Sequence, residues 1–171
     1  MAIHGPKVGL FEPCLPLRSH KASKRMRGLQ NMKYTLIKQA KEFAKLKHID
    51  QLDDSGLPYI VHLEQVVNIL GQVTSKDSII VAAWLHDTLE DTKTTLYELK
   101  ERFGQEVALL VYELTHEGDK IHGYYFPRLK SRDAILIKFA DRLSNLSRME
   151  SWPEKRRQHY LKKSVFWKYD R

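Results

Sequence analysis

Six consecutive residues, HDTLED, bring together His86, Asp87, Glu90 and Asp91, side chains that bind metal ions or move protons. On a helix, positions three and four apart share a face, so Asp87 meets Glu90 and Asp91, and His86 meets Glu90. The group directly follows IIVAAWL, Ile79 to Leu85, the longest unbroken apolar run in the chain. Carboxylates crowded beside such a run are costly and mutually repulsive, and a cation is their simplest compensation. An exposed acidic helix end with a chance histidine is the alternative. His62, in PYIVH, and Asp141, in IKFADRLSNL, lie in two other apolar-patterned segments. Each alone reads as a packed or satisfied side chain; jointly they suggest a ligand set gathered from three helices.

The elements that must position these residues follow from periodicity. Leu36, Ile37, Ala40, Phe43 and Ala44 recur at helical spacing from Lys33 to about His48. A turn-rich stretch, Asp50 to Pro58, separates this helix from a second one carrying Ile60, Leu63, Val66, Val67 and Leu70, with Pro58 where a first turn tolerates it. IIVAAWL runs into LHDTLED without a turn residue, and the combined length predicts one core helix. Thr95 and Glu98 form a capping box for a helix ending near Gly104, and Val107 to Leu114 continues as another. Glu117 to Pro127 reads as a loop holding His122, with His116 at its edge. Arg132 to Leu146 is a helix with Ile135, Leu136, Phe139, Ala140 and Leu143 on its apolar side, and Pro153 opens a basic helix to about Trp167. No pair of alternating strands is visible, so the class is all-α.

A chain of 171 residues, 42% hydrophobic and 29% charged, suits one globular domain. No apolar run approaches the ~20 residues of a membrane-spanning helix. Cys14 stands alone, which excludes an intramolecular disulfide and fits a reducing, cytoplasmic setting. Of the formal charge of +8, residues 1–31 supply +5, from six lysines and arginines against Glu12. This segment, with Pro6, Pro13 and Pro16 and no sustained period, reads as a mostly irregular basic extension. It is the only candidate region for nucleic acid, which is otherwise not an expected partner.

With His62, the adjacent His86 and Asp87, and Asp141 in view, the chain resembles the HD-domain metal phosphohydrolases. PYIVH, LHDTLEDT, FGQEVALLVYELTH and IKFADRLSNL are similar to the hydrolase domain of Rel/SpoT proteins and to the stand-alone small alarmone hydrolases, over about Lys33 to Met149. The resemblance implies an all-helical HD bundle within residues 32–171. It also implies one divalent metal, usually manganese, held by His62, His86, Asp87 and Asp141. The ligand types alone admit manganese, iron, cobalt or zinc. Glu90 and Asp91 match the acidic pair that handles the attacking water and the leaving-group proton. Asn145, one turn beyond Asp141, matches a residue near the nucleotide sugar. Arg142 and Lys138 flank Asp141 as candidate phosphate contacts or as outward-facing cations, and His48 matches a histidine that is not a ligand.

The family's loop before PYIxH commonly carries a basic pair ahead of Ser-Gly, which holds the nucleotide and its phosphates. Here Asp53 and Asp54 precede Ser55 and Gly56, which predicts repulsion of a polyphosphate unless the loop turns outward. Three readings follow. The first is an enzyme that removes the 3′-pyrophosphate of guanosine tetra- or pentaphosphate (ppGpp or pppGpp). The second is a phosphohydrolase of another nucleotide or phosphorylated metabolite, and the third is a non-catalytic binding protein on an HD scaffold. Deleting residues 1–31 is expected to leave melting temperature, bound metal and turnover nearly unchanged, because every candidate site residue lies later. A melting scan and a rate measurement on the truncated chain check this.

Overall fold

The computed structural model describes residues 36–119, 123–126 and 128–163. The extension of residues 1–31, the start of the first helix, Lys120, His122 and the chain beyond Lys163 lie outside the described residues. The described chain is all-α apart from one small hairpin. Helix α1 covers residues 36–47 and buries Ala40, Phe43 and Ala44, the stripe its spacing predicts. A tight loop follows, closed by a bridge between Leu52 and Pro58. Gly56 sits in the left-handed region at φ +78°, where a side chain would be strained.

Helix α2 (Ile60–Gly71) presents His62, Leu63, Val66 and Leu70 inward. Helix α3 (Asp77–Leu85) buries Ile79 and every residue from Val81 to Leu85, so it is the central rod, apolar on all sides. Helix α5 (Leu96–Phe103) begins at Thr95, whose hydroxyl accepts from the Glu98 amide at 3.1 Å. It ends at Gly104, φ +87°, from which α6 (Gln105–Leu114) departs. Helix α7 (Arg132–Arg148) packs on α2, α3 and α6, and a 3₁₀ turn (Met149–Ser151) leads to α8 (Glu154–Lys163).

Three sequence expectations are corrected. The helix through HDTLED breaks: α3 stops at Leu85, and a one-turn helix α4 (Thr88–Asp91) follows, with Asp87 at φ −96°, ψ −1°. Side chains capture the carbonyls at the break, His86 Nδ1 donating to Ala83 O at 2.8 Å and Thr88 Oγ1 to Leu85 O at 2.6 Å. Such local bonds compete with the helical ladder. Within the segment read as a loop, β1 (Glu117–Asp119) pairs antiparallel with β2 (Gly123–Tyr125), too short a hairpin to show an alternating pattern. Finally, α7 buries Ala134, Ile137, Lys138, Ala140, Asp141 and Ser144, while Phe139 and Leu143 remain 50% and 54% exposed. The face turned inward is the one whose polar groups find partners, so apolar spacing misjudged its rotation.

This rotation sets a measurable contrast. Leu63→Ala, at a position with no exposure, is expected to cost about 2–5 kcal/mol, whereas Leu143→Ala should change stability by less than about 1 kcal/mol. Urea unfolding of the two variants checks the difference.

Candidate active site

Two helices and the α3–α4 break deliver the candidate ligands to one buried point. His62 comes from α2, His86 and Asp87 from the break, and Asp141 from the middle of α7. Ligand atoms of His62, His86 and Asp87 all lie within 4.8 Å of one another. His86 Nε2 is 2.9 Å and His62 Nε2 is 3.8 Å from Asp87 Oδ2. Asp141 Oδ1 stands 3.4 Å from His62 Nε2 and 4.0 Å from His86 Nε2. Both histidines are at most 2% exposed.

Hydrogen bonds on the far side of each ring fix its orientation. His86 Nδ1 faces the Ala83 carbonyl, which only accepts, so that nitrogen carries the hydrogen and Nε2 points at the carboxylates. His62 Nδ1 lies 3.0 Å from Ser144 Oγ, which itself donates to Gln65 Oε1 at 3.1 Å. His86 Nε2 is buried and has no aligned hydrogen-bond partner, although a carboxylate oxygen is 2.9 Å away. Without a proton or a metal on Nε2, two electron-rich atoms would be in contact, so the position calls for a cation. Burial opposes charge on His86, yet Asp87, Asp141 and the Ala83 carbonyl push its imidazole up to about 9. Burial likewise opposes ionisation of Asp87, but His86 holds it below the usual carboxylate range. Asp141 is held low against burial by Lys138, His62 and His86. The two-imidazole, two-carboxylate donor set therefore fits a divalent metal, which would displace the imidazole proton.

A ring of neighbours completes the charge compensation. Tyr59 donates its hydroxyl to Asp87 Oδ2 at 2.5 Å. Lys138, buried on α7, places Nζ 2.9 Å from Asp141 Oδ2 and 4.2 Å from the Phe126 ring centre, and Asn145 Nδ2 donates to Asp141 Oδ1 at 2.8 Å. Lys138 and Asn145 thus support Asp141. Arg142 instead stacks on Tyr160 of α8 at 4.8 Å, and Ser55 pairs with Ser151 at 2.7 Å.

The acidic pair diverges at α4. Glu90 accepts from the His116 amide at 2.6 Å and lies 2.5 Å from His116 Nδ1, so its partner is His116, not the His86 expected from helical spacing. Asp91 accepts from Gln51 Nε2 at 2.9 Å, and Gln51 Oε1 meets His48 Nδ1 at 2.6 Å. Burial and the charge of Asp87 raise both carboxyls above their ordinary range. Sequence reasoning left His116 in a loop and missed Tyr59 and Gln51 altogether. Tyr59 stands inside a motif already singled out, but Gln51 and His116 meet partners 40 and 26 residues away, which no spacing rule reveals.

Asp53 and Asp54, expected to repel a polyphosphate, both have cationic partners. Asp53, its side chain 6% exposed, forms an ion pair with Arg148 and accepts from the Ser55 and Leu57 amides at 2.8 and 2.9 Å. Although burial opposes it, these partners lower its pKa. Asp54 pairs with Arg156 of α8 at 2.7 Å, both side chains about two-fifths exposed. The last turn of α7 and α8 therefore bring cations to the loop. A polar cleft of about 240 Å³ opens there, lined by Asp53, Asp54, Arg148 and Arg156 and reaching Tyr59, His62 and Asn145.

Comparison with known proteins agrees with this architecture. The HD domain family matches residues 40–124. The chain is 38% identical over 138 residues to the guanosine-3′,5′-bis(diphosphate) 3′-pyrophosphohydrolase of Aquifex aeolicus, covering 75% of this chain and 20% of that protein. It therefore spans only about a fifth of the length of such long relatives. It is 39% identical over 139 residues to human guanosine-3′,5′-bis(diphosphate) 3′-pyrophosphohydrolase MESH1, covering 72% and 77% of the two chains. A solved structure of a metazoan ortholog of SpoT, described as hydrolysing ppGpp, superposes with a TM-score of 0.66 at 30% identity, covering 76% of this chain and 83% of that one. The family match takes in the segments that carry His62, His86 and Asp87, and the chain belongs to the HD-domain family that includes the guanosine-3′,5′-bis(diphosphate) 3′-pyrophosphohydrolases.

Proposed function

We propose that this protein hydrolyses guanosine 3′,5′-bis(diphosphate), releasing pyrophosphate from the 3′ position with one divalent metal, manganese, held by His62, His86, Asp87 and Asp141. The observation that carries this reading is the buried His86 Nε2 set 2.9 Å from a carboxylate oxygen of Asp87, with a second histidine and a second aspartate converging on the same point. Family membership supports the substrate class. A bound metal would lower the pKa of a coordinated water and offset charge on the phosphate under attack.

The chain's own residues supply proton handling and order. Glu90, its carboxyl raised by burial and by Asp87, is the group suited to take the proton of the attacking water. His116, bound to it through both ring and amide, keeps it oriented. Asp91, also raised, is suited to return a proton to the leaving 3′ oxygen, with Gln51 and His48 fixing its position. The overall change adds one water across one phosphoester bond, so no redox partner enters. Tyr59 and Lys138 hold Asp87 and Asp141 in place. Lone Cys14 and helices too short or polar to cross a membrane among the described residues accord with a cytoplasmic setting.

Turnover of a nucleotide panel with manganese tests the reading directly, with pyrophosphate release from ppGpp expected. Chelation should abolish it, and His86→Ala should lower bound metal and turnover together. Full activity of that variant in chelator would refute the assigned centre. The acidic pair behaves differently: Glu90→Gln and Asp91→Asn are expected to retain metal while losing roughly 10²–10⁴-fold in kcat. Metal analysis beside steady-state kinetics checks this, because a parallel fall in metal content would make the two residues ligands.

A further inference from the structure

We infer that Ser144, Gln65 and Ser147 form a directed hydrogen-bond relay that keeps the ring hydrogen of His62 on Nδ1 and its Nε2 lone pair toward the candidate metal position. Ser144 and Gln65 are then positioning residues for the metal. The inference rests on the proposed metal centre and deepens it by naming what prepares His62 as a ligand. His62 and Gln65 stand three residues apart on α2, and Ser144 and Ser147 three apart on α7, so each pair shares a helical face, and the two faces meet.

The direction of the relay follows from its far end. The Ser144 carbonyl only accepts, and Ser147 Oγ donates to it at 2.9 Å. With its hydrogen used, Ser147 Oγ accepts from Gln65 at 2.9 Å, so the amide nitrogen of Gln65 faces Ser147 and the amide oxygen faces Ser144. The Ser144 hydroxyl therefore donates to Gln65 Oε1 at 3.1 Å and offers His62 Nδ1 a lone pair at 3.0 Å. Nδ1 must carry the hydrogen, which leaves the Nε2 lone pair 3.4 Å from Asp141 Oδ1 and 3.8 Å from Asp87 Oδ2, the side on which a metal ligand is needed. One group opposes the relay. Arg148 Nη2 also lies 3.0 Å from His62 Nδ1, and a guanidinium only donates, so it favours the ring form with the hydrogen on Nε2, which cannot hold a metal. Arg148 has other acceptors in Asp53 and the Ser144 carbonyl, so the Nδ1 hydrogen goes to Ser144. Removing the Ser144 hydroxyl would leave Arg148 facing Nδ1 and reverse the ring. Burial grades the relay: Ser144 has no exposure, Gln65 is half-buried and Ser147 is exposed, so water can replace Ser147 but not Ser144.

Manganese binding to the full chain, read by electron paramagnetic resonance of the free ion, tests this independently of turnover. Ser144→Ala should raise the Kd for manganese about tenfold or more, Gln65→Met about three- to tenfold, and Ser147→Ala less than about threefold. Because Gln65 acts through Ser144, the double variant Ser144→Ala/Gln65→Met should bind no more weakly than Ser144→Ala alone. Gln65→Glu, whose carboxylate accepts from Ser144 as the amide oxygen does, should keep the unmodified affinity or tighten it. Circular dichroism checks that each variant is folded, and if Ser144→Ala is not, Gln65→Met against Gln65→Glu decides. If the folded variants stay within about twofold of the unmodified Kd while His86→Ala weakens binding, the relay is overturned and the metal centre stands. Additive losses in the double variant also overturn it, since they reflect two separate packing effects. If the unmodified protein does not bind manganese, the metal centre and the relay fail together.

Discussion

The structure is organised around two carboxylates, the largely buried Asp87 and the buried Asp141, set against two histidines and Lys138. Like charges in a low-dielectric interior repel strongly, and burying them without partners would cost several kcal/mol. Each neighbouring element contributes something that offsets this: the Tyr59 hydroxyl on Asp87, the Lys138 ammonium and Asn145 amide on Asp141, and imidazole edges between the two. Helix rotation obeys the same constraint. Helix α7 turns Lys138, Asp141 and Ser144 inward and leaves Phe139 and Leu143 half-exposed, because the polar face is the one that finds complementary groups.

The α3–α4 break follows from that demand as well. A continuous helix would stack Glu90 one turn from His86. Interrupting the ladder at His86 and Asp87 lets one helix end in a buried histidine while the next starts with a separately supported acid. Glu90 then belongs to His116 at the edge of the hairpin, and Asp91 to Gln51 near the start of the first loop. The division of labour proposed for metal binding and proton transfer therefore has a structural counterpart, in two sets of side chains that share Asp87 as a neighbour but not their hydrogen-bond partners.

Charge placement around the cleft illustrates how a sequence difference can be absorbed by topology. Acidic residues where the family resemblance leads one to expect basic ones would be hostile to a phosphate if the loop stood alone. Arg148 and Arg156, roughly a hundred residues away, neutralise them. The net local charge is thereby a property of the fold and not of the loop.

Much of the bundle was legible in the sequence. The helical spacing of Ala40, Phe43 and Ala44, of Leu63, Val66 and Leu70, and the Thr95 cap are local signals, and local backbone and side-chain physics suffices to place them. The convergence of His62, His86, Asp87 and Asp141 was readable as residue types in three apolar segments, and resemblance carried the rest. Only the tertiary structure decided which way α7 faces, where the HDTLED helix breaks, and which partners serve Glu90, Asp91, Asp53 and Asp54. The side-chain partners of those four acids lie 26 to about a hundred positions away. The energy of such contacts is set by burial and geometry, neither of which exists until the helices have packed.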